Sequence, residues 1–430
     1  MESVLSAGDT SWVLTSAALV LLMIPGLAFF YGGMVRSKSV LNMLMMVMSA
    51  LFVVGVLWII FGYSLAFGTS NNGLFGNPTE YLGLEGLMAD DPEAVLPVMA
   101  FVAFQAMFAC LTVGLIAGAI PDRMKFGAWI IFGAIWAVIV YFPVAHWVWA
   151  PGGWIFELGV IDFAGGTAVH INAGAAALAL ALIVGRRVGW PKTPMRPHNL
   201  TLVMLGAGLL WFGWFGFNAG SALAANNTSA VVFINTFAAT CAAAIGWLVV
   251  EKIRDGHMTS LGAASGVVAG LVAITPACSA VSPIGALILG VIAGVLCALA
   301  VGLKYRLGYD DSLDVVGVHL VGGLVGTLLI GFLATEIAPA GVNGLFYGGG
   351  TEQLGKQAIG AFAVLFYSLI VAAVIAFVIK AVGGIRVSKD VEVGGIDLAE
   401  HAESAYELGE AGGGGVFAGV GHAARNKVEE

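Results

Sequence analysis

Charge is scarce in this sequence. Asp, Glu, Lys and Arg make up 10% of its 430 residues, where a soluble domain carries about 25%. Hydrophobic residues fill 59%, and the mean hydropathy is +0.96. That balance excludes an ordinary water-soluble domain and points to an integral membrane chain. Basic charge is scarcer still. The 18 Lys and Arg against 26 Asp and Glu leave a net charge of −8, the wrong sign for a nucleic-acid binder. Cysteine is rare too. Cys110, Cys241, Cys278 and Cys297 lie in apolar segments and share no CxxC spacing, which argues for small core residues. No grouping of Cys, Glu and His has metal-ligand spacing, so neither a metal nor another cofactor is expected. The first residues, "MESVLSAGDTSWVL", hold no Lys or Arg and lack the positive start of a secretory signal.

What is abundant is apolar runs. A spanning helix needs about 20 largely apolar residues. Eleven runs qualify, starting near residues 11, 42, 97, 126, 163, 200, 229, 261, 283, 315 and 357. The eighth is short and is interrupted by "ITPAC". Basic residues set the direction. They follow span 1 (Arg36, Lys38), span 3 (Arg123, Lys125), span 5 (Arg186, Arg187, Lys192, Arg196), span 7 (Lys252, Arg254), span 9 (Lys304, Arg306) and span 11 (Arg386, Lys389). Lys356, at the lip of span 11, is the one exception among the eighteen. The expected protein sits in the cell membrane, with its N-terminus outside and its C-terminus in the cytoplasm. A transmembrane domain covers residues 1–382 and a cytoplasmic tail covers 383–430. The loop 69–96 is acidic, with Glu80, Glu85, Asp90, Asp91 and Glu93. It reads as a solvated outer loop, with concentration of cations as the alternative.

Spans 1 and 6 are weakly alike, "LAFFYGGMV" against "WFGFNAGSAL", and run in opposite directions. Two inverted five-helix repeats plus a C-terminal helix fit that parity, a design common in transporters. The 61 glycines, many at small-xxx-small spacing, fit close helix packing.

Against this background the polar groups stand out. Of seven histidines, His198, His257, His401 and His422 fall in loops or the tail, and His146 falls near the outer end of span 4. Only His170 and His319 lie well inside apolar helices, in spans 5 and 10. Under an inverted repeat these spans are equivalent, so the rings meet near the midplane. Satisfying a local carbonyl is the alternative for either ring alone. Ionisable groups at this depth are costly and mark function.

In the outer half, Trp214, Phe217 and Ser221 are spaced to share one face of span 6. Phe104 and Phe108 lie one turn apart in span 3, Trp149 ends span 4, and Asp162 starts span 5. Each has a plainer reading: belt Trp, core Phe, capping Asp. Together they form an outer site of aromatic faces, a hydroxyl and a nearby carboxylate. Such a site suits a small monovalent cation that donates hydrogen bonds.

These residues resemble the ammonium transporter family (Amt/Mep/Rh), and its bacterial and archaeal Amt branch most closely. "DFAGGTAVHINAGAAALALALIVGRR", "GWFGFNAGSA", "TPAC" and "DDSLDVVGVHLVGG" carry the resemblance in order, over residues 10 to 407. The resemblance implies an ammonium transporter or channel, not an enzyme. It implies recruitment by Trp149, Ser221 and Phe108, a phenyl gate of Phe108 and Phe217, and a pore lined by His170, His319 and Trp214. Asp162 then supports the outer site without binding the ion, with Phe104 close by. It also implies a homotrimer and a PII-type signal protein at the cytoplasmic face. The tail departs from the family's His-Gly-Glu, reading His401-Ala402-Glu403, and residues 411–430 match no family pattern and read as flexible. An ammonium sensor using the same pocket, a Rh-like gas channel and a bis-histidine haem carrier are the rival readings.

Overall fold

The computed structural model describes residues 4–89, 91 and 93–406. It is a bundle of eleven apolar helices: α1 Ala7–Met34, α2 Val40–Phe67, α3 Val98–Ala119, α4 Phe126–Glu157, α5 Gly166–Val184, α6 Leu200–Gly220, α7 Asn227–Asp255, α8 Ser260–Ile274, α9 Pro283–Leu307, α10 Val316–Leu333 and α11 Glu352–Val382. Ten are long and apolar enough to cross a membrane; α8, with 15 residues, is the short one. The interruption at "ITPAC" is its end. Two short tail helices follow, α12 Lys389–Gly394 and α13 Ile396–His401.

Helix starts follow the sequence chemistry. Side-chain oxygens of Ser6, Asn199, Asn226, Thr259 and Ser282 accept first-turn amides of α1, α6, α7, α8 and α9. Pro283 follows Ser282 at a first helical position, where a missing N–H costs nothing.

The two halves repeat one arrangement. Helix α2 packs on α3 and α4, as α7 packs on α8 and α9, and α1 lies along α6. The repeat extends to single bonds. Phe163, just before α5, donates its N–H to the Pro276 carbonyl after α8 (3.3 Å). Ser312, just before α10, donates its N–H to the Ala119 carbonyl ending α3 (3.4 Å). Helix α5 is the centre: 83% of its apolar window is buried, against 33% for α2 and α11. It crosses α10 closely because glycine allows it. A Cβ on Gly174 would sit 2.5 Å from the Leu320 nitrogen, and one on Gly323 would sit 3.0 Å from the Gly166 carbonyl.

The loops bearing Arg36, Arg123, Arg187 and Arg386 meet on one face, called here the basic face. Arg123 is fully buried and donates to the carbonyls of Gly185 (2.7 Å) and Asp310 (2.6 Å) and to Ser312 Oγ (2.8 Å). Arg187 grips the Asp310 carboxylate through Nε (2.9 Å) and Nη2 (2.8 Å). The tail folds back here. Helices α2 and α4 have no side-chain cap of their own. Asp397 accepts the amides of Leu41 (3.1 Å) and Asn42 (2.8 Å), and Glu400 accepts the Phe126 amide (3.0 Å). His401 Nε2 meets Asn42 Oδ1 at 2.9 Å. Residues 407–430, including the stretch 411–430 read as flexible, lie outside the described residues. On the opposite face, part of the acidic loop pairs as β1 Ser70–Asn71 and β2 Phe75–Gly76, and Glu80 accepts the Thr69 amide (2.6 Å). All four cysteines are free thiols.

Candidate functional site

The α5 start is built by Asp162. Its carboxylate accepts four successive backbone N–H groups: Gly165 (2.9 Å), Gly166 (2.6 Å), Thr167 (2.8 Å) and Ala168 (3.0 Å). A helix start exposes such unsatisfied donors and attracts negative charge. The carboxylate offered by the sequence to an outer cation is thus committed to the backbone, because the helix N-terminus holds it from the other side. The Asp162 carbonyl accepts the Trp149 indole N–H at 2.9 Å. One residue therefore fixes both the α5 start and the Trp149 ring.

Trp149 meets Phe108 edge to face, with ring centroids 5.9 Å apart. Phe108 stacks on Phe217 at 4.1 Å and 22°. Phe104 packs behind Phe108 at 4.9 Å. Ser221 ends α6, and its hydroxyl donates to the Phe217 carbonyl (2.8 Å). Its lone pairs remain as acceptors. Below this collar Phe217 lies 6.1 Å from His170, and Trp214 stacks on His170 at 5.4 Å and 20°.

His170 Nδ1 and His319 Nδ1 stand 3.2 Å apart, with the rings stacked at 5.3 Å. Both are buried. His170 Nε2 has no protein partner. Each histidine sits in a π-helical turn, Gly166–Ile171 in α5 and Val316–Leu320 in α10. Such turns re-aim side chains and gather at functional sites.

Every residue expected at the site is therefore in one contiguous column: Trp149, Phe108, Phe104, Phe217, Ser221, Trp214, His170, His319 and Asp162. Sequence reasoning missed three groups. Asp311 stands eight residues before His319, as Asp162 stands eight before His170. It accepts the amides of Val315 (3.1 Å) and Val316 (2.7 Å) at the α10 start. The repeat register could have found it. Asn218 and Thr275 form a buried hydrogen-bonded pair behind Trp214; they lie within the blocks "GWFGFNAGSA" and "TPAC", but as uncharged residues they were given no role. The described residues hold no grouping of three or more His, Cys, Asp or Glu that could bind a metal ion.

The profile of the Ammonium Transporter Family matches residues 11–406. The ammonium transporter of Mycobacterium tuberculosis is 60% identical, covering 94% of this chain and 91% of the relative. That of Aquifex aeolicus is 48% identical and covers 95% of each chain. Among solved structures, Mep2 of Saccharomyces cerevisiae superposes with a TM-score of 0.85 at 35% identity, over 95% of this chain and 93% of that one. A structure titled "Sensor Amt Protein" also reaches 0.85, at 31% identity over 92% and 98%. Both sequence relatives are named ammonium transporters, and this chain, with ten helices long and apolar enough to cross a membrane among its described residues, is a multi-pass membrane protein. The chain belongs to the ammonium transporter family.

Proposed function

We propose that ammonium is recruited between Trp149, Ser221 and Phe108 on the outer face, loses its proton near the Phe108–Phe217 gate, and crosses as ammonia past His170 and His319. The observation that carries this is the Nδ1–Nδ1 contact of 3.2 Å directly beneath a stacked phenyl pair. Stripping a whole ammonium ion of water among these walls costs several kcal/mol or more. The ring contact supplies an alternative. One Nδ1 must donate and the other accept. The donor ring then keeps an accepting Nε2, and its partner keeps a donating one. The pair thus offers both an acceptor and a donor, which matches ammonia. It also lets a proton pass separately from ring to ring.

Purified protein in proteoliposomes tests this. His170→Ala and His319→Ala should each lower methylammonium uptake by about a hundredfold or more, the low end of what a positioned proton-transfer group contributes. Uptake equal to wild type in either would sink the pathway. An absence of charge movement with ammonium on a supported membrane would remove the separate proton route.

The charge map supports an orientation with the basic face in the cytoplasm; labelling of the 69–96 loop from inside only would reverse it. The same reading takes residues 1–382 as the transport domain and 383–430 as a regulatory tail. A homotrimer, checked by particle mass in lipid nanodiscs, and a PII-type partner at the basic face, checked by co-purification, complete it. The relative titled as a sensor supports a second reading, in which the pocket reports ammonium rather than moving it. Growth of a transport-deficient strain on low ammonium separates the two, since a pure sensor restores none.

A further inference from the structure

Trp214 walls the column beside His170, and its own position depends on a polar chain. Its indole N–H donates to Thr275 Oγ1 (2.9 Å), just past the end of α8. Thr275 Oγ1 lies 3.2 Å from Asn218 Oδ1 and 2.7 Å from the Leu271 carbonyl. Its single proton serves one of these acceptors while its lone pairs receive the indole. Asn218 Nδ2 donates to Thr236 Oγ1 on α7 (3.0 Å), and Thr236 donates to the Val232 carbonyl (2.8 Å). That last bond fixes which way the Asn218 amide faces. Trp214, Asn218, Thr236 and Thr275 are all at most 1% exposed. Three helices thus converge through hydroxyls and one amide on a single indole N–H. The chain also touches the outer site, since Ser221 donates its N–H to the Asn218 carbonyl (3.1 Å).

Any buried indole N–H needs an acceptor, and Trp58 finds one in the Val102 backbone carbonyl. The Trp214 acceptor is instead a side-chain hydroxyl linked onward to a second side chain, so the ring's plane depends on side chains from other helices. We propose that Thr275, oriented by Asn218 and Thr236, is a positioning residue that sets the plane of Trp214. It thereby sets the clearance beside His170, which discriminates ammonium from its methylated analogue. The inference rests on the pathway proposed above.

The test is the ratio of methylammonium to ammonium transport in proteoliposomes at matched protein content. Thr275→Val keeps shape but removes the acceptor, leaving the buried indole N–H unpaired. The ratio should rise about tenfold, the low end of what one methyl-sized group is worth in a pocket. Thr275→Ser, which keeps the hydroxyl, should restore the wild-type ratio. On a Trp214→Phe background, Thr275→Val should change the ratio no further, because the residue acts through that ring. Equal ratios for the Val and Ser variants, or an undiminished Val effect without the indole, overturn the proposal. If Thr275→Val is not recovered from membranes, Thr275→Ala, which also removes the acceptor, carries the test: a raised ratio supports positioning and an unchanged one overturns it. His170→Ala is the separate control. Undiminished transport there removes the pathway and this inference together. A transport loss there with no Thr275 effect removes this inference only.

Discussion

The column has two ends built on one plan, and they differ in what surrounds the plan. At the α5 end Asp162 accepts four amides, and at the α10 end Asp311 accepts two. Each stands eight residues before a π-turn histidine. Around Asp162 lie rings, with Trp149 on its carbonyl and the Phe108–Phe217 stack beneath. Around Asp311 lie ions, with Lys304 Nζ on its carbonyl (2.9 Å) and on Asp314 (2.6 Å). The Arg187–Asp310 pair is next to it in sequence. The duplicated cap-and-histidine unit builds the crossing of α5 and α10. The collars make one end aromatic and the other ionic.

The largest effect expected from breaking this comparison is at the caps. Hydrogen bonds to a charged group contribute about 1.5–3 kcal/mol each, and Asp162 makes four to Asp311's two. Asp162→Ala removes that four-amide cap and leaves the backbone carbonyl that holds the Trp149 indole. It should lower the thermal midpoint of the solubilised protein more than Asp311→Ala does, and cut uptake by more than tenfold. Equal midpoints for the two variants would mean that the extra amides contribute nothing, and the ends would be energetically alike.

Much of this was legible in the sequence. The spans were, because hydrocarbon demands long apolar runs, and no helix start differs from its expected position by more than five residues. His170, His319 and Asp162 were, because ionisable groups are conspicuous there. Asp311 was not, because "DDSLD" reads as an ordinary charged loop until the repeat register is imposed. The tail caps were not, since Asp397 meets Leu41 across 356 residues of chain. The π-turns were not, because hydropathy carries no trace of one extra residue in a turn.

A smaller effect separates the ends by pH. Burial raises the Asp310 carboxyl, but the Arg187 hydrogen bond and the charges of Arg123 and Arg187 outweigh it, leaving it below its ordinary 3.8. A depressed carboxyl stabilises the fold above its unfolded value and loses that contribution as pH falls through the folded one. Burial holds Asp162 above 3.8 despite its four amides. Its sign is opposite: the penalty present at neutral pH disappears on acidification. Hydrogen exchange between pH 5 and pH 3 should therefore show peptides 183–188 and 308–313 losing protection before 162–170. Asp310→Asn should abolish that order. Loss of protection first at 162–170 in the wild type would contradict it.

The smallest effect belongs to the tail that secures the ionic end. Ala402 has φ 56°, a left-handed backbone where the related motif carries glycine. A Cβ there is strained, and glycine relieves about 0.5–1 kcal/mol. The strain falls one residue after His401, whose ring meets Asn42 at the α2 start. Ala402→Gly should therefore hold Asp397 and Glu400 more firmly on α2 and α4, and slow exchange of the Leu41, Asn42 and Phe126 amides about two- to fivefold. Amides at the other end, Gly165 to Ala168, should not change, because Asp162 on their own loop holds them. An equal slowing at both ends would show that the tail stiffens the whole column, and that the aromatic and ionic ends are mechanically one.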